Sequence, residues 1–215
     1  MGKEIELKVP VSQEQFNAIY QKIYVQKNHE NIIILESSTD KISKSDEYFT
    51  RYNSREEMIK YNEPQVIRIR TEIINGKKQS YFTIKRKTLE NGIEVNKEDE
   101  TFLENDEALR ILFEEAGYKR WFYKEKSSYS SYCALKEGAG QTRFHLELVT
   151  VNGMNYVEVE LVINDDEAEA KAGVKTKKPE TNLKAELEKF IIALGLNPAD
   201  KDSRSWYQII SENDR

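Results

Sequence analysis

The sequence predicts an α+β fold in which an antiparallel β-sheet or barrel carries helices on its outside. About eight segments alternate polar and apolar residues with the period of a β-strand, and most are joined by short turns such as NGKK and VNG. Three or four other segments show the helical period instead. Strands that follow one another through short turns pair antiparallel, and the helices then cover one face of the sheet.

The strand candidates are recognised by their alternation and by the turn residues that bound them. Asn75–Gly76 favours a tight hairpin turn, because Asn and Gly tolerate the positive φ angles that such a turn needs. We interpret residues 37–46 as a polar connection between two strands. In chain order the expected strands lie at 3–9, 31–36, 47–52, 65–74, 79–87, 93–103, 118–129, 142–151 and 155–163.

The helix candidates are recognised by capping residues and apolar spacing. Ser12 suits the N-cap of a helix that places Phe16 and Ile19 on one face. Pro64 ends a short helix or loop, and Gly117 ends a longer helix. The expected helical segments are 12–27, 105–117, 182–196 and 202–213, and 54–64 is expected as a short helix or loop. We expect a single domain over 1–215, with the strands in 3–163 and a C-terminal helical segment in 182–212.

Composition excludes several classes of protein. The single cysteine, Cys133, cannot form an intramolecular disulfide and rules out a Cys-rich zinc site. The net charge of −5, from 33 basic and 38 acidic residues, argues against a broad nucleic-acid-binding surface. No apolar run is long enough to span a membrane. We therefore expect a cytoplasmic monomer or homodimer that binds neither nucleic acid nor membrane.

Charged residues repeat at every second position within the strand candidates, which places each pair on one face of its strand. Most strands carry one sign of charge twice. The sets are Glu4, Glu6 and Lys8; Arg68 and Arg70; Lys85 and Lys87; Glu98 and Glu100; Lys124 and Lys126; His145 and Glu147; and Glu158 and Glu160.

Two interpretations fit this alternation. In the simpler one the charged faces point to water, as in many half-solvated antiparallel sheets. In the other, the sheet closes into a barrel whose interior is charged and whose apolar face lies under the helices. Eight strands enclose room for one small ligand. Arginine and lysine would then bind a polyanion, and the paired glutamates a hard divalent cation such as Mg²⁺ or Mn²⁺.

Six ordered elements resemble the CYTH superfamily, also called triphosphate tunnel metalloenzymes. The N-terminal Glu4-Ile5-Glu6-Leu7-Lys8 matches the signature Glu-x-Glu-x-Lys strand of that superfamily. The remaining elements are Arg68-Ile69-Arg70, Thr83-Ile84-Lys85, Lys97-Glu98-Asp99-Glu100, Lys124-Glu125-Lys126 and the late hairpin that ends in Glu158-Val159-Glu160. Three positions depart from the usual pattern: Lys126 replaces an arginine, Glu147 replaces an aspartate, and Asn96 lies where an arginine is expected.

The resemblance implies an eight-stranded antiparallel closed β-barrel, a tunnel that binds a triphosphate with Mg²⁺ or Mn²⁺. Catalysis would centre on Glu4, Glu6 and Lys8. The implied metal ligands are Glu4, Glu6, Glu158 and Glu160, with Glu98 or Glu100 assisting. The implied phosphate-binding residues are Arg68, Arg70, Lys85, Lys124, Lys126 and Arg143, although Arg143 could equally be a turn residue.

The resemblance leaves the reaction open. One possibility is metal-dependent hydrolysis of tripolyphosphate, thiamine triphosphate or another organic triphosphate. A class IV adenylate cyclase that converts ATP to cyclic AMP is the second. A non-catalytic polyphosphate- or nucleotide-binding module is the third, and a β-sheet protein whose charges face solvent is the fourth. No recognisable adenine-reading residue is present, which favours the hydrolase.

Overall fold

The computed structural model of the protein describes residues 2–64, 66–90, 93–137, 142–164 and 180–213, with side chains described there except at 2–4, 87–90, 93–96, 162–164, 180–182 and 213. The strands are β1 (Gly2–Pro10), β2 (Ile32–Ser37), β3 (Ile42–Thr50), β4 (Val66–Ile74), β5 (Lys77–Glu90), β6 (Ile93–Leu103), β7 (Lys119–Leu135), β8 (Phe144–Val151) and β9 (Met154–Asn164). The helices are α1 (Gln13–Tyr20), α2 (Arg55–Lys60), α3 (Asp106–Glu115), α4 (Glu180–Ala193) and α5 (Trp206–Asn213). A π-helical turn, Gln21–Val25, extends α1, and a 3₁₀ turn, Pro198–Asp200, follows α4.

The strands form one antiparallel sheet in the order β2-β7-β3-β4-β5-β6-β1-β9-β8. The long strand β7 pairs with β3 through its first part and with β8 from Lys126 to Cys133. The sheet is therefore strongly curled, since both sides of the strand order meet at β7. The predicted α+β class and antiparallel sheet are confirmed. The sheet is a curled half-barrel, and the closed barrel stays a prediction.

Helices cover the apolar face of the sheet, so the charged face of the strands points into the curl. Ile5, Leu7 and Val9 of β1 pack with Phe16 of α1 and Phe190 of α4 in the main core. Smaller clusters lie under α5 and under α3. This arrangement contradicts the interpretation in which the strand charges face bulk water. No helix in the described segments combines the length and apolarity needed to cross a bilayer.

Local signals in the sequence placed several elements correctly. Ser12 caps α1 by accepting a hydrogen bond from the Gln15 amide, and the Gln15 side chain accepts one from the Ser12 amide in return. At the predicted hairpin turn, Asn75 and Gly76 have φ angles of 51° and 77°. Both angles are positive, as a tight turn between twisted strands requires.

β3 and β7 extend well beyond the segments predicted for them. β3 begins at Ile42, so half of the predicted polar connection at 37–46 is in fact strand. The Ser- and Lys-rich composition there resembles a loop, yet Lys44 and Asp46 alternate toward the charged interior, where buried partners stabilise them. β7 continues to Leu135 because β2 and β8 pair with its second half.

Candidate functional site

A cavity of about 820 Å³ lies inside the curled sheet. Its lining contains almost every charged residue that the sequence nominated: Glu6, Lys8, Arg68, Arg70, Lys85, Glu98, Glu100, Lys124, Lys126, Glu158 and Glu160. These residues come from β1, β4, β5, β6, β7 and β9. The period-2 alternation of six strands thus converges on a single space of the size that holds a small-molecule ligand.

Two nominated residues stand apart from this lining. Glu4 pairs in register with Val162 of β9, but its side chain lies outside the described part of the structure. Arg143 is more than half exposed, forms an ion pair with Glu36 and stacks on the ring of Tyr132 at 3.8 Å. Arg143 does not line the cavity, and its predicted phosphate contact stays a prediction.

Asp46 lies behind the cavity wall, and three of the nominated cations surround it. Arg70 donates two hydrogen bonds to its carboxylate, at 2.7 and 3.0 Å, and the ammonium of Lys124 lies 3.1 Å away. Arg68 lies 3.9 Å away. Burial on its own raises the pKa of Asp46, but Arg70, Lys124 and Arg68 outweigh burial and hold this pKa well below its usual range. Asp46 is therefore a buried anion at neutral pH.

A second chain of ion pairs crosses the cavity wall between β3, β7, β8 and β9. Lys126 donates to Glu147 at 3.0 Å and to Glu158 at 2.9 Å, and Lys44 donates to Glu147 at 2.6 Å. Burial lowers the pKa of Lys126, but the two carboxylates outweigh burial and raise it. The indole of Trp206 donates to Glu158 at 2.8 Å, which joins the C-terminal helix to this chain.

The third group of ion pairs lies between β4, β5 and β6. Arg68 donates to Thr83 at 3.0 Å and lies 3.3 Å from both Glu98 and Glu100. Lys85 lies 3.2 Å from Glu98. The Nε of Arg68 is buried and makes no hydrogen bond among the described residues. A buried donor without an acceptor carries a cost in stability.

Glu6 and Glu160 bring like charges together. They are directly opposite each other on β1 and β9, where side chains lie about 4.5–5.5 Å apart at Cβ. Glu6 has no ion-pair partner among the described residues, whereas His145 Nδ1 lies 3.4 Å from Glu160. Adjacent carboxylates repel each other unless a cation lies between them.

A divalent metal such as Mg²⁺ needs oxygen ligands, and this carboxylate pair offers oxygens of that kind. Among the described residues, no group of three or more His, Cys, Asp or Glu side chains is arranged to hold a metal ion. Mg²⁺, however, is commonly bound through one or two carboxylates together with water and substrate phosphates. Glu6 and Glu160 meet that smaller requirement, and Glu4 is the expected third carboxylate.

Among known proteins, the similarities of this chain are to solved structures that share its fold. No protein-family profile matches the chain, and no curated protein sequence matches it. The structure is similar to the PH1819 protein of Pyrococcus horikoshii, with a TM-score of 0.65 and 20% identity over 98% of this chain and 99% of that one. It is also similar to a candidate adenylate cyclase of Vibrio parahaemolyticus, with a TM-score of 0.59 and 15% identity over 97% of each chain. A third neighbour is HpAC1 of Hippeastrum, a candidate adenylyl cyclase with a dominant triphosphatase activity. Its TM-score is 0.57, with 13% identity over 99% of this chain and 96% of that one.

These neighbours are consistent with the CYTH superfamily. At such identities the likeness establishes the fold that the chain shares with them. That shared fold agrees with the fold that the resemblance of the strand motifs implies.

Sequence reasoning missed several residues of this charged interior. Lys44 and Asp46 stand at alternate positions in SKSDEY, and this alternation was the available signal. Glu147 stands among the alternating strand charges, but the pattern indicated no role for it. The hydrogen bond of Trp206 to Glu158 joins residues 48 positions apart, which no local pattern reveals.

Proposed function

We propose that the cavity binds a triphosphate together with Mg²⁺ or Mn²⁺ and hydrolyses it. One observation carries the proposal: Arg68, Arg70, Lys85, Lys124 and Lys126, from three strands, line the same cavity. Forked guanidinium groups and point-charge ammonium groups are the side chains that bind phosphate oxygens in proteins. A dense array of such groups suits a ligand with several negative charges.

Ligand binding would exchange ion pairs rather than create charge contacts from nothing. In the free protein Arg68 and Lys85 face Glu98, and Lys126 faces Glu158. A triphosphate would take over part of these cations, and a divalent cation would take over part of the carboxylates. The pairing of opposite charges reduces the cost of burying them.

The carboxylates of Glu6 and Glu160, with Glu4, would hold the metal ion, and Glu98, Glu100 and Glu158 lie on the same cavity wall. The metal would supply charge neutralisation and an activated water. Arg68, Lys85 and Lys124 would orient the phosphate chain and stabilise the charge of the transferring group. Lys8 would act close to the carboxylates, since it is directly opposite Glu158.

We also propose that the curled sheet functions as a closed eight-stranded tunnel around the ligand. The support is the double pairing of β7 with β3 and with β8. Enclosure would exclude water from the phosphate-binding cations and strengthen their interaction with the ligand.

A class IV adenylate cyclase is the second candidate function. The candidate cyclase of Vibrio parahaemolyticus supports it, because it shares the fold. HpAC1, whose dominant activity is that of a triphosphatase, supports the hydrolase on the same fold. The cyclase reaction requires a pocket that recognises adenine, and the residues that the sequence nominated include none with this role. We therefore place the hydrolase first.

Product analysis tests the proposal. The purified protein is incubated with tripolyphosphate, thiamine triphosphate or ATP and with Mg²⁺ or Mn²⁺. Glu6→Gln removes one proposed metal ligand. Glu47→Gln is the matched control, because Glu47 is an acidic residue of β3 that binds Arg110 and Arg120 and does not line the cavity.

We expect orthophosphate from at least one triphosphate, lost in Glu6→Gln and retained in Glu47→Gln. Cyclic AMP and pyrophosphate from ATP would instead make the protein a cyclase. Tight binding of a triphosphate without any turnover would leave a binding module. If the protein neither binds nor turns over any of the three compounds, the proposed function is refuted.

A further inference from the structure

Asp46 is the most deeply buried carboxylate in the charged interior, and the function proposed above assigns it no role. Its side chain is 0% exposed and does not line the cavity, so a ligand in the cavity cannot contact it. Its partners Arg68, Arg70 and Lys124 all line the cavity. Any effect of Asp46 on a ligand must therefore act through these cations.

The geometry around Asp46 is that of a bidentate clamp. Arg70 uses Nε and Nη2 to bind the two carboxylate oxygens, at 2.7 and 3.0 Å. This arrangement fixes the plane of the guanidinium group and leaves Nη1, which lies 4.0 Å from Glu72, outside the clamp. Lys124 is held from the opposite side at 3.1 Å, and the hydroxyl of Tyr48 lies 3.3 Å from the same carboxylate oxygen.

The register of the sheet explains why a single carboxylate can hold both cations. Asp46 is directly opposite Arg70 on β4 and directly opposite Lys124 on β7. β3 lies between these two strands, so the side chain of Asp46 reaches both neighbours on the same face of the sheet. No other position on β3 is opposite two of the nominated phosphate-binding residues, since Lys44 is opposite only one of them, Lys126, and faces Glu72 on β4.

We propose that Asp46 is a positioning residue: its buried carboxylate fixes the orientation of Arg70 and the place of Lys124 for the phosphate chain without touching the ligand. The inference rests on the proposed function, because it assumes that Arg70 and Lys124 bind phosphate. Asp46 also lowers the net positive charge of the site. Its loss should therefore impair catalysis more than it impairs binding of a polyanion.

The main variant is Asp46→Asn, which keeps the shape of the side chain and removes its charge. The control is Glu47→Gln, which removes the same charge from the next residue of the strand, on the opposite face. Arg70→Lys keeps the charge of Arg70 but loses the fork. The double variant Asp46→Asn/Arg70→Lys shows whether Asp46 acts through Arg70.

The first measurement is independent of turnover. Nitrogen-15 NMR follows exchange of the arginine Nε–H protons, and Arg70→Lys identifies the Arg70 signal. We expect this proton to exchange at least about 10-fold faster in Asp46→Asn, the change expected when a charge-assisted hydrogen bond of about 1.5–3 kcal/mol is lost. Should Asp46→Asn fail to fold, Asp46→Asn/Lys124→Met removes one charge of each sign and serves for the same measurement.

The second measurement is steady-state kinetics with tripolyphosphate, together with its affinity in metal-free buffer. We expect kcat of Asp46→Asn to fall about 10- to 100-fold, the scale of a misplaced catalytic group, while the affinity stays the same or increases. We expect the kcat values of Arg70→Lys and of Asp46→Asn/Arg70→Lys to agree within about 3-fold, because the effects of residues that act together are not additive.

Several results would overturn the inference. An unchanged Arg70 signal in Asp46→Asn would show that Asp46 does not hold the guanidinium group. Unchanged kcat per folded molecule would reduce Asp46 to a structural role, and additive effects in the double variant would separate it from Arg70. If the unmodified protein neither binds nor hydrolyses any triphosphate, the proposed function fails, while the NMR result still decides whether Asp46 orients Arg70.

Discussion

Replacing Lys126 with Met removes the cation between two buried carboxylates and keeps a side chain of similar length. Lys126 Nζ lies 3.0 Å from Glu147 and 2.9 Å from Glu158. With an effective dielectric constant of about 20, each contact amounts to about 5–6 kcal/mol of Coulomb attraction, much of which desolvation cancels. Removing one partner of a buried ion pair costs about 3–5 kcal/mol, and we expect Lys126→Met to lose this much free energy of unfolding at pH 7.

The loss should depend on pH in a defined direction. Burial raises the pKa of Glu147 and Glu158, but Lys126 and its cationic neighbours outweigh burial and lower both values. Carboxylates with a lowered pKa stabilise the folded protein above their unfolded pKa, and this stabilisation disappears as the pH falls. Without Lys126, burial and the mutual repulsion of Glu147 and Glu158 raise the pKa values of both carboxyl groups. The folded variant then gains stability relative to the unfolded chain as the pH falls and these groups take up protons. The deficit of Lys126→Met should therefore be larger at pH 7 than at pH 5.

Urea unfolding followed by far-ultraviolet circular dichroism measures this deficit at both pH values. Lys189→Met is the matched control, because Lys189 is exposed on α4 and has no ion-pair partner in the described part of the chain. A loss below about 1 kcal/mol at pH 7 would refute the reasoning, since it lies far under the cost of an orphaned buried charge. A deficit that grows on acidification would refute the sign of the argument.

Four further changes test individual contacts and the metal. Trp206→Phe deletes the indole donor to Glu158 and should cost about 1–3 kcal/mol in urea unfolding; a value near zero would mean that the bond is not made in solution. Ser12→Ala removes the α1 cap and should cost about 1 kcal/mol in the same assay. Gly153→Ala places a side chain at a φ of +77° in the β8–β9 turn and should cost about 1–2 kcal/mol. EDTA should abolish phosphate release, and Mg²⁺ or Mn²⁺ should restore it; turnover that persists in EDTA would contradict the proposed metal dependence.

Much of the fold could be predicted because its signals are local. Alternation at every second residue identified the segments that form β1, β4 and β8, and turn residues such as Asn75–Gly76 marked where strands reverse. The start of β3 could not be predicted in this way. Its Ser- and Lys-rich residues resemble a connection, and only partners on β4, β7 and β8 make a strand favourable there.

Part of the candidate site, like part of the fold, could be predicted from local signals in the sequence. The sequence by itself determined which charges share a strand face, because side-chain direction in a strand follows from residue number alone. It therefore nominated Glu6, Arg68 and Lys124 for one interior. Only the tertiary structure decided which carboxylate holds which cation: Lys44 meets Glu147 across 103 positions, and Arg70 meets Asp46 across 24. Such pairs depend on how the strands are ordered and registered in the curled sheet, and that information is distributed over the whole chain.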